Sequence, residues 1–523
     1  MPGRRTAILL AAILCLGCSG SARAPAAGSA SPGDALEACP VSIGGAPDDG
    51  ALPQEDDPVV AVRKRAWEEA HGGKEAARSF VQARLGGWPS RVLADASRLP
   101  RGRAFLERVA RDTWRGLEAM TDRENGLPID HVWLDGKSTA LADAEIGDYT
   151  NVTSIGLRLI SLVAARDLGL VTPGAARASA SRILDTLGVL ETHEGYFYNY
   201  YDTTTLERTS NFLSFVDLSW LVAGLIVTRG AFPELAPRAS ALIERLDLGF
   251  FYDEAKGRVS HGYFTHRRAR SRYDYGVLYT EARLGVLLAI GKGDVPAAAW
   301  HRLVRVFPAA CTEQSLPPQG LHRVRIDGVE LLRGWYEWSG FRYVPSWGGS
   351  MFEALMPTLV LDERALAPAS LGDNDRVHAE VQERWATQEL LYPVWGLSPS
   401  SRPGSRHYGE FGVRILGSRG YGDGVVTPHA AALALEFRSE SAAATLRAIA
   451  ERYPIYGEWG FYDAVDPTSG EVAYQYLGLD QSMLFLAVAN HLSGGALRAR
   501  FAEDPILRRV RPLLAAESFF GRG

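Results

Sequence analysis

Residues 343–357, YVPSWGGSMFEALMP, join a two-glycine turn (Gly348, Gly349) to an apolar helix opened by Ser350. A serine in that place offers its side-chain oxygen to the free backbone N–H groups of the first turn. Pro357 has no N–H to give and predicts a kink instead of a clean continuation. One acid, Glu353, falls in the first turn, where the helix dipole favours negative charge. Two readings follow for it: helix electrostatics alone, or an acid held beside Trp347 at the floor of a carbohydrate site. The fold turns on another property. The helix is apolar on every side, and such helices belong inside.

Five more segments read the same way, so that 350–361 is the fourth in a series with 151–165, 216–228, 279–290, 425–435 and 479–492. Between them lie amphipathic, charged segments at 105–120, 173–190, 234–247, 296–307, 376–391 and 440–453, the pattern of one-sided surface helices. Strict alternation of six inner and six outer helices predicts an all-α (α/α)6 barrel, with a hairpin period too long for a short-repeat solenoid.

The connections are unequal. Inner-to-outer turns are short, whereas the outer-to-inner loops at 133–150, 196–215, 250–278, 323–349, 392–424 and 456–478 are long and aromatic. They carry Trp133, Trp335, Trp338, Trp347, Trp395 and Trp459, and all open where the inner helices start. A Pro467-Thr468-Ser469-Gly470 turn predicts a hairpin within 461–476. Long ordered loops are usually functional, so this end is expected to bind a ligand.

Around the barrel the chain divides further. Arg4 and Arg5, an apolar run from Ala7 to Leu16, and then Gly17 and Cys18 read as a bacterial lipoprotein signal over 1–18, with Cys18 lipidated. Cys15 stands where leucine is usual. Residues 19–57, rich in Ala, Gly, Ser, Pro and Asp, read as a flexible tether. A helical prelude follows at 58–99, and the barrel at 100–510. These features place the protein on the periplasmic side of the envelope, with the outer membrane favoured by Ser19. Cys39 and Cys311 are too few for a four-cysteine zinc site, and whether they pair is open. The net charge of −5 argues against nucleic acid as partner.

Polar residues gather where the inner helices begin: Asp148 and Asn151, Ser214 and Asp217, Tyr279 and Glu281, Trp347 and Glu353, Asp423, Thr427 and His429, Asp480 and Gln481. Asp217, Asp423 and Asp480 read as helix caps. Glu337, Glu410, Glu458 and Asp463 come from the loops. Carboxyls among aromatic faces suit glycoside chemistry, in which one acid protonates the leaving oxygen and another acts as base or nucleophile. The catalytic candidates are Glu353, Glu281 and Glu410; the alternative for Glu281 is a salt bridge to Arg283. Substrate-binding candidates are Trp335, Trp347, Tyr279, Trp395, Tyr408, Trp459, Tyr201, Asp148, Asn151, Asp423, His429 and Asp480. No GxSxG, GxxxxGK[ST] or HExxH motif occurs, and no cofactor or metal is expected. His261 and His266 read as hairpin or surface positions.

The segments TNVTSIGLRLISLVAARDLG, YFYNYYDTTTLE, YTEARL, VPSWGGSMFEALMPTLV, GYGDGVVTPHA, WGFYDAVD and YLGLDQSM together resemble the glycoamylase-like family of bacterial exported proteins, and the related module of cyclic β-1,2-glucan synthases. The resemblance runs from about Leu99 to Pro505. It implies an (α/α)6 barrel with glycoside hydrolase or transglycosylase relatives, endo-β-1,2-glucanases among them, and maps the family's SWxGxMFE motif onto 346–353. Synthase-type relatives read WGISES where this chain has Trp395-Gly396-Leu397-Ser398-Pro399-Ser400, so Pro399 replaces an acid. The expectation is an exported enzyme acting on a β-glucan. Its alternatives are a non-catalytic glycan-binding lipoprotein, or a polysaccharide lyase using Tyr279, His429 and Arg272.

Overall fold

The computed structural model describes residues 58–311 and 313–520. The expected signal, tether and Cys39 lie outside the described residues; Cys311 is buried and disulfide-bonded. Helix outweighs strand, 47% to 17%, so the chain is mostly helical with strands as accessories. Helices α1 (Pro58–Ala70) and α2 (Lys74–Arg84) come first. Then follow α3 (Arg103–Ala119), α4 (Val152–Asp167), α5 (Pro173–Val189), α6 (Phe215–Ala231), α7 (Ala236–Arg245) and α8 (Arg283–Lys292). A single turn α9 (Ala298–His301) precedes α10 (Met351–Leu355), α11 (Glu363–Leu366), α12 (Leu371–Arg384), α13 (Pro428–Leu433) and α14 (Ser439–Arg452). The last are α15 (Gly478–Ser493), α16 (Ala496–Ala502) and α17 (Pro505–Ala515).

The two sequence types behave as their patterns demand. Every residue of α4 from Val152 to Ala165, and of α6 from Phe215 to Thr228, is buried. By contrast α5 buries one stripe, Ala176, Ala180, Ile183, Leu184 and Leu187 among it. The apolar helices touch in the succession α8–α6–α4–α15–α13–α10. At the α4–α6 crossing a Cβ on Gly156 would stand 2.3 Å from the Trp220 carbonyl, and one on Gly224 2.4 Å from that of Gly156. Only glycine lets these backbones come so near.

Between α8 and α10 the join is ionic. Pro357 supplies no N–H to the Glu353 carbonyl one turn back. Arg283 fills that place: its guanidinium donates to the carbonyls of Glu353 (3.1 Å) and Ala354 (2.6 Å). It also forms a bidentate pair with Glu363 (2.8 and 2.7 Å), with both side chains wholly buried. One side chain thus ties α8, α10 and α11 together.

Short strand pairings lace the loops at the starts of the apolar helices. His131–Trp133 pairs with Glu145–Gly147 and with Gln475–Leu477, Tyr149–Asn151 with Tyr200–Asp202, and Phe212–Ser214 with Gly262–Phe264. Single bridges join Ser346 to Gly417 and Val426 to Val465. The hairpin expected around 467–470 forms, with Ala464–Val465 against Val472–Ala473 and Gly470 at φ 78°.

The structure differs from the sequence expectation in several places. The segment 296–307 yields only the four residues of α9, and α17 packs on α8 instead. The segment 350–361 splits at Pro357 into α10 and a 3-10 turn, Met356–Leu359. Helix α8 begins at Arg283, so Glu281 lies in the turn ahead of it, and α13 begins at Pro428, later than expected. A three-stranded sheet of Gln319–Ile326, Val329–Trp338 and Phe341–Tyr343 makes the fourth long loop more than a hairpin.

Removing one partner of a buried ion pair strands the other's charge, at a cost of about 3–5 kcal/mol. Glu363→Ala is expected to lower stability by that order in chemical denaturation; an unmoved midpoint would show that Arg283 is not the joint described.

Candidate active site

The starts of the apolar helices carry a connected set of buried polar groups. Asn151 caps α4, accepting from the Thr153 N–H at 2.6 Å and donating to Asn199 at 3.0 Å. Ser214 caps α6, and the Thr153 hydroxyl donates to Asp217 at 2.7 Å. Burial raises the Asp217 carboxyl, against the pull of these hydrogen bonds.

Glu353 closes a capping box. Ser350 Oγ accepts from the Glu353 N–H at 3.2 Å, and the Glu353 carboxylate accepts from the Ser350 N–H at 3.3 Å. The same carboxylate takes the Gly348 N–H at 2.9 Å and the Ser346 hydroxyl at 2.8 Å. Its oxygens are therefore spent on holding the two-glycine turn. At Gly349, φ is +79° and a Cβ would stand 2.1 Å from the Val413 carbonyl, so the turn admits no other residue. Burial raises the Glu353 carboxyl even so.

Glu281 differs. Arg283 turns away from it to Glu363, so the expected salt bridge does not form. The Glu281 carboxyl is buried, and loss of water, then the nearby charges of Glu353 and Asp217, push it up to about 8. It is a protonated acid at neutral pH standing next to a second carboxyl.

A second acid pair lies where α13 and α15 begin. Asp463 accepts from the Ser401 N–H at 2.7 Å; His429 Nδ1 stands 2.7 Å from the Thr427 hydroxyl and 3.1 Å from Asp480. Burial pushes Asp480 up to about 8 and lifts Asp463 well above the carboxylate range, with Asp480 adding to it. Loss of water also takes His429 down to about 4, so its ring is neutral. Both carboxyls of the pair therefore hold their protons at neutral pH, and the first is given up only near pH 8. Ligand atoms of His429, Asp463 and Asp480 lie within 4.8 Å of one another, so among the described residues this set could also hold a small divalent cation. The Tyr408 hydroxyl is buried with no hydrogen-bond partner among the described residues, lifted well above its usual range by loss of water and by the charges of Asp480 and Asp463. Asp130 acts on Asp480 and on the Tyr149 hydroxyl, and lies 2.8 Å from His131 Nδ1.

The expected site residues therefore separate. Glu281 comes together with Glu353, and Tyr408 with His429 and Asp480. Glu410 is half-buried, and its charge reaches the Tyr408 hydroxyl. Asp148 is ion-paired with Lys64, and Asp423 is exposed. Asp217, Asp423 and Asp480 do not cap their helices: Ser214 caps α6, and α13 and α15 have no side-chain cap. Most of the aromatic candidates pack instead of lining a cleft. Tyr279 donates to Asp375 at 2.5 Å beneath Arg283, and Tyr201 to the Glu191 carbonyl at 2.7 Å. Trp395 lies in the main core, Trp459 packs on Gly116 of α3, and Trp347 on Val277, Phe307 and Tyr421. Trp335 lies against Arg342 and the edge of Phe520. His261, expected at a hairpin or surface position, is buried against Tyr275 at 4.4 Å. Asp130 and His131 were not legible as site residues, since nothing local marks them; Asp463 was named only as a loop acid.

Residues 274–505 match the glycoamylase family model ("Putative glucoamylase"). The cyclic β-(1,2)-glucan synthase NdvB of Rhizobium meliloti (strain 1021) is 30% identical over 315 residues, which is 56% of this chain and 10% of that protein. The chain thus spans about a tenth of that relative. Among solved structures, the endo-β-1,2-glucanase of Chitinophaga pinensis, in complex with sophorotriose and glucose, superposes with a TM-score of 0.61 at 16% identity, covering 81% of this chain and 98% of that one. The β-1,2-glucanase of Parabacteroides distasonis gives 0.65 at 15% identity, covering 80% and 61%. At these identities the likeness is one of fold. The chain therefore resembles the glycoamylase family over residues 274–505, with similarity to a cyclic glucan synthase and a fold shared with β-1,2-glucanases.

Proposed function

We propose that this chain is a glycoside hydrolase or transglycosylase acting on a β-glucan, of the β-1,2-linked class, built as an (α/α)6 barrel whose inner helix starts carry the chemistry. The observation behind it is Glu281: a dry carboxyl at about 8, tied by no side-chain hydrogen bond among the described residues, beside a carboxyl pair network. Such a group can give its proton to a glycosidic oxygen at neutral pH. The Asp463–Asp480 pair supplies the base toward water or an acceptor hydroxyl once Asp480 has given up its proton near pH 8, with the Ser401 N–H holding Asp463 in place. Glu353 is a positioning residue here, because its oxygens hold the 346–350 turn. The β-glucan class draws support from the synthase similarity and from the sugar complex of the Chitinophaga structure. Tyr279 is committed to Asp375, which leaves the lyase reading without its tyrosine base. The signal-like start supports export and a lipid anchor at Cys18 on the periplasmic side.

Incubation with β-1,2-glucan is expected to release or rearrange oligosaccharides, with Glu281→Gln and Asp463→Asn each slowing the reaction about 10²–10⁴-fold. Full activity in Glu281→Gln would sink the assignment, and no product from the wild type on any β-glucan would favour the glycan-binding reading. The activity is also expected to peak near pH 8, rising as the Asp463–Asp480 pair gives up its first proton and falling as Glu281 loses its own. The two glutamates should part on stability. Glu353→Gln faces an amide toward backbone N–H groups and is expected to cost about 1–3 kcal/mol. Glu281 sits at about 8 when folded against an ordinary 4.5, so the stability linked to it is present below 4.5 and lost as pH rises to about 8. Glu281→Gln is expected to flatten that slope, as read by denaturation at several pH values. Cys18→Ser is expected to move the protein from the membrane to the soluble fraction; unchanged partition would remove the anchor.

A further inference from the structure

The helices ahead of the first apolar hairpin are not remote from the site. Lys64 of α1 places its ammonium between Asp148 and Asp202, 2.8 Å from the latter, and over the ring of Trp67. Asp148 directly precedes the strand that leads into α4, and Asp202 ends the strand paired with it. Arg63, one residue earlier, faces Glu207 at 3.9 Å. From α2, Arg78 donates to the Ala144 carbonyl, and Trp88 beyond it donates to that of Thr139 at 2.6 Å. The segment is fastened across the loop rim at several points.

A cavity of about 340 Å³ lies under this fastening, with Arg63, Lys64 and Trp67 on one wall and His131, Tyr149 and Asp202 on the other. His131 is 1% exposed, and its Nε2 has no hydrogen-bond partner among the described residues. With Nδ1 turned to Asp130, Nε2 is left in want of a hydrogen-bond partner, an acceptor in the neutral ring and a donor in the charged one. The cations on this wall are spoken for: Lys64 by Asp148 and Asp202, Arg63 by Glu207, Arg208 by Glu191. The lining leaves no net positive charge to recruit a phosphate or a uronate. A buried hydrogen-bonding nitrogen, half-buried aromatic edges and paired charges suit a neutral polyhydroxyl ligand. The volume is at the small end of ligand sites, of order 300–1,000 Å³, and matches a short piece of glycan. The floor continues to the chemistry, since Asp130 touches His131 on one side and acts on Asp480 on the other.

We propose that this cavity is an end subsite for a neutral glycosyl unit, with α1 as its outer wall and Lys64 as the staple that holds the wall in place. The proposal rests on the glycosidase reading above and adds to it a preference for chain ends on this side of the cleft. His131 Nε2 takes a sugar hydroxyl as its hydrogen-bond partner, and α1 stops the chain from running on.

The test is calorimetric titration of the Glu281→Gln protein with short and long β-1,2-linked gluco-oligosaccharides, repeated with His131→Phe or Lys64→Met added. The expected result is about tenfold weaker binding of the long ligands in His131→Phe, the loss of one buried hydrogen bond, with the shortest ligands unaffected. Lys64→Met is expected to weaken the same long ligands, and, in the otherwise wild-type enzyme, to shift the products toward internal cleavage. The Lys64 arm decides the matter if His131→Phe does not fold. Equal affinities at every length in all three proteins overturn the subsite and leave the glycosidase reading standing. No binding at any length, with no product from the wild type, overturns both.

Discussion

A helix buried on every side brings the free N–H groups of its first turn into a dry place, and each must find an acceptor. That requirement shapes the end of this molecule where the apolar helices start. Asn151, Ser214 and Ser350 answer it from the cap position; Ser398 answers it from a neighbouring loop, accepting from the Phe352 N–H at 3.2 Å. Carboxyls join them because the positive end of the dipole favours negative charge. Removal from water then raises Asp217, Glu281, Glu353, Asp463 and Asp480. The same demand that stabilises the fold thus stocks one end with perturbed acids. What separates scaffold from chemistry is whether an acid's oxygens are already used. Those of Glu353 are taken by several backbone N–H groups and a serine, whereas Glu281 meets only its own backbone N–H among the described residues.

The second constraint is the joint between α8 and α10. The loop pairings tie neighbouring helix starts by backbone hydrogen bonds, but none of those strand pairs spans this step. Pro357 frees a carbonyl, and Arg283 takes it while its other face meets Glu363. An arginine held this way fixes the turn just ahead of α8, where Glu281 lies, relative to Glu353 on α10. The distance between two acids is thereby set by an ion pair that touches neither carboxyl.

The sequence carried the parts of this arrangement that depend on local pattern. Alternation of all-apolar with amphipathic segments marked the inside and outside helices, and Gly-Gly-Ser ahead of MFEAL marked a capped start. The four-residue α9 could not be foreseen, because the outer pattern over 296–307 is satisfied equally by a largely non-helical segment that buries Trp300 and Arg305 against Glu517. Aromatic richness was the weakest guide. Trp395, Trp459, Tyr201 and Tyr279 sit in loops or at helix starts, yet a ring that packs in a core reads the same as one facing a sugar. Pairings that span the chain were hidden too: Arg283 finds Glu363 rather than the nearby Glu281, and His131 finds its place only when 475–477 closes on 131–133.

Pro399 gives these points their sharpest use. Its neighbours show what ground it occupies: the Leu397 carbonyl accepts from the Met351 N–H, Ser398 bonds Phe352, and the Ser401 N–H holds Asp463. The segment 397–401 therefore runs from the start of α10, beside Glu353, to the Asp463–Asp480 pair. The resemblance to the synthase module implies an acid at 399, on the stretch that joins the two carboxyl groups; a proline there carries no charge. With one fewer anion in a dry site, Asp463 and Asp480 are less crowded, and the pair can give up its first proton at lower cost. In the proposed reaction the base role would then fall to Asp463 and Asp480, which is why Asp463→Asn is as telling as Glu281→Gln.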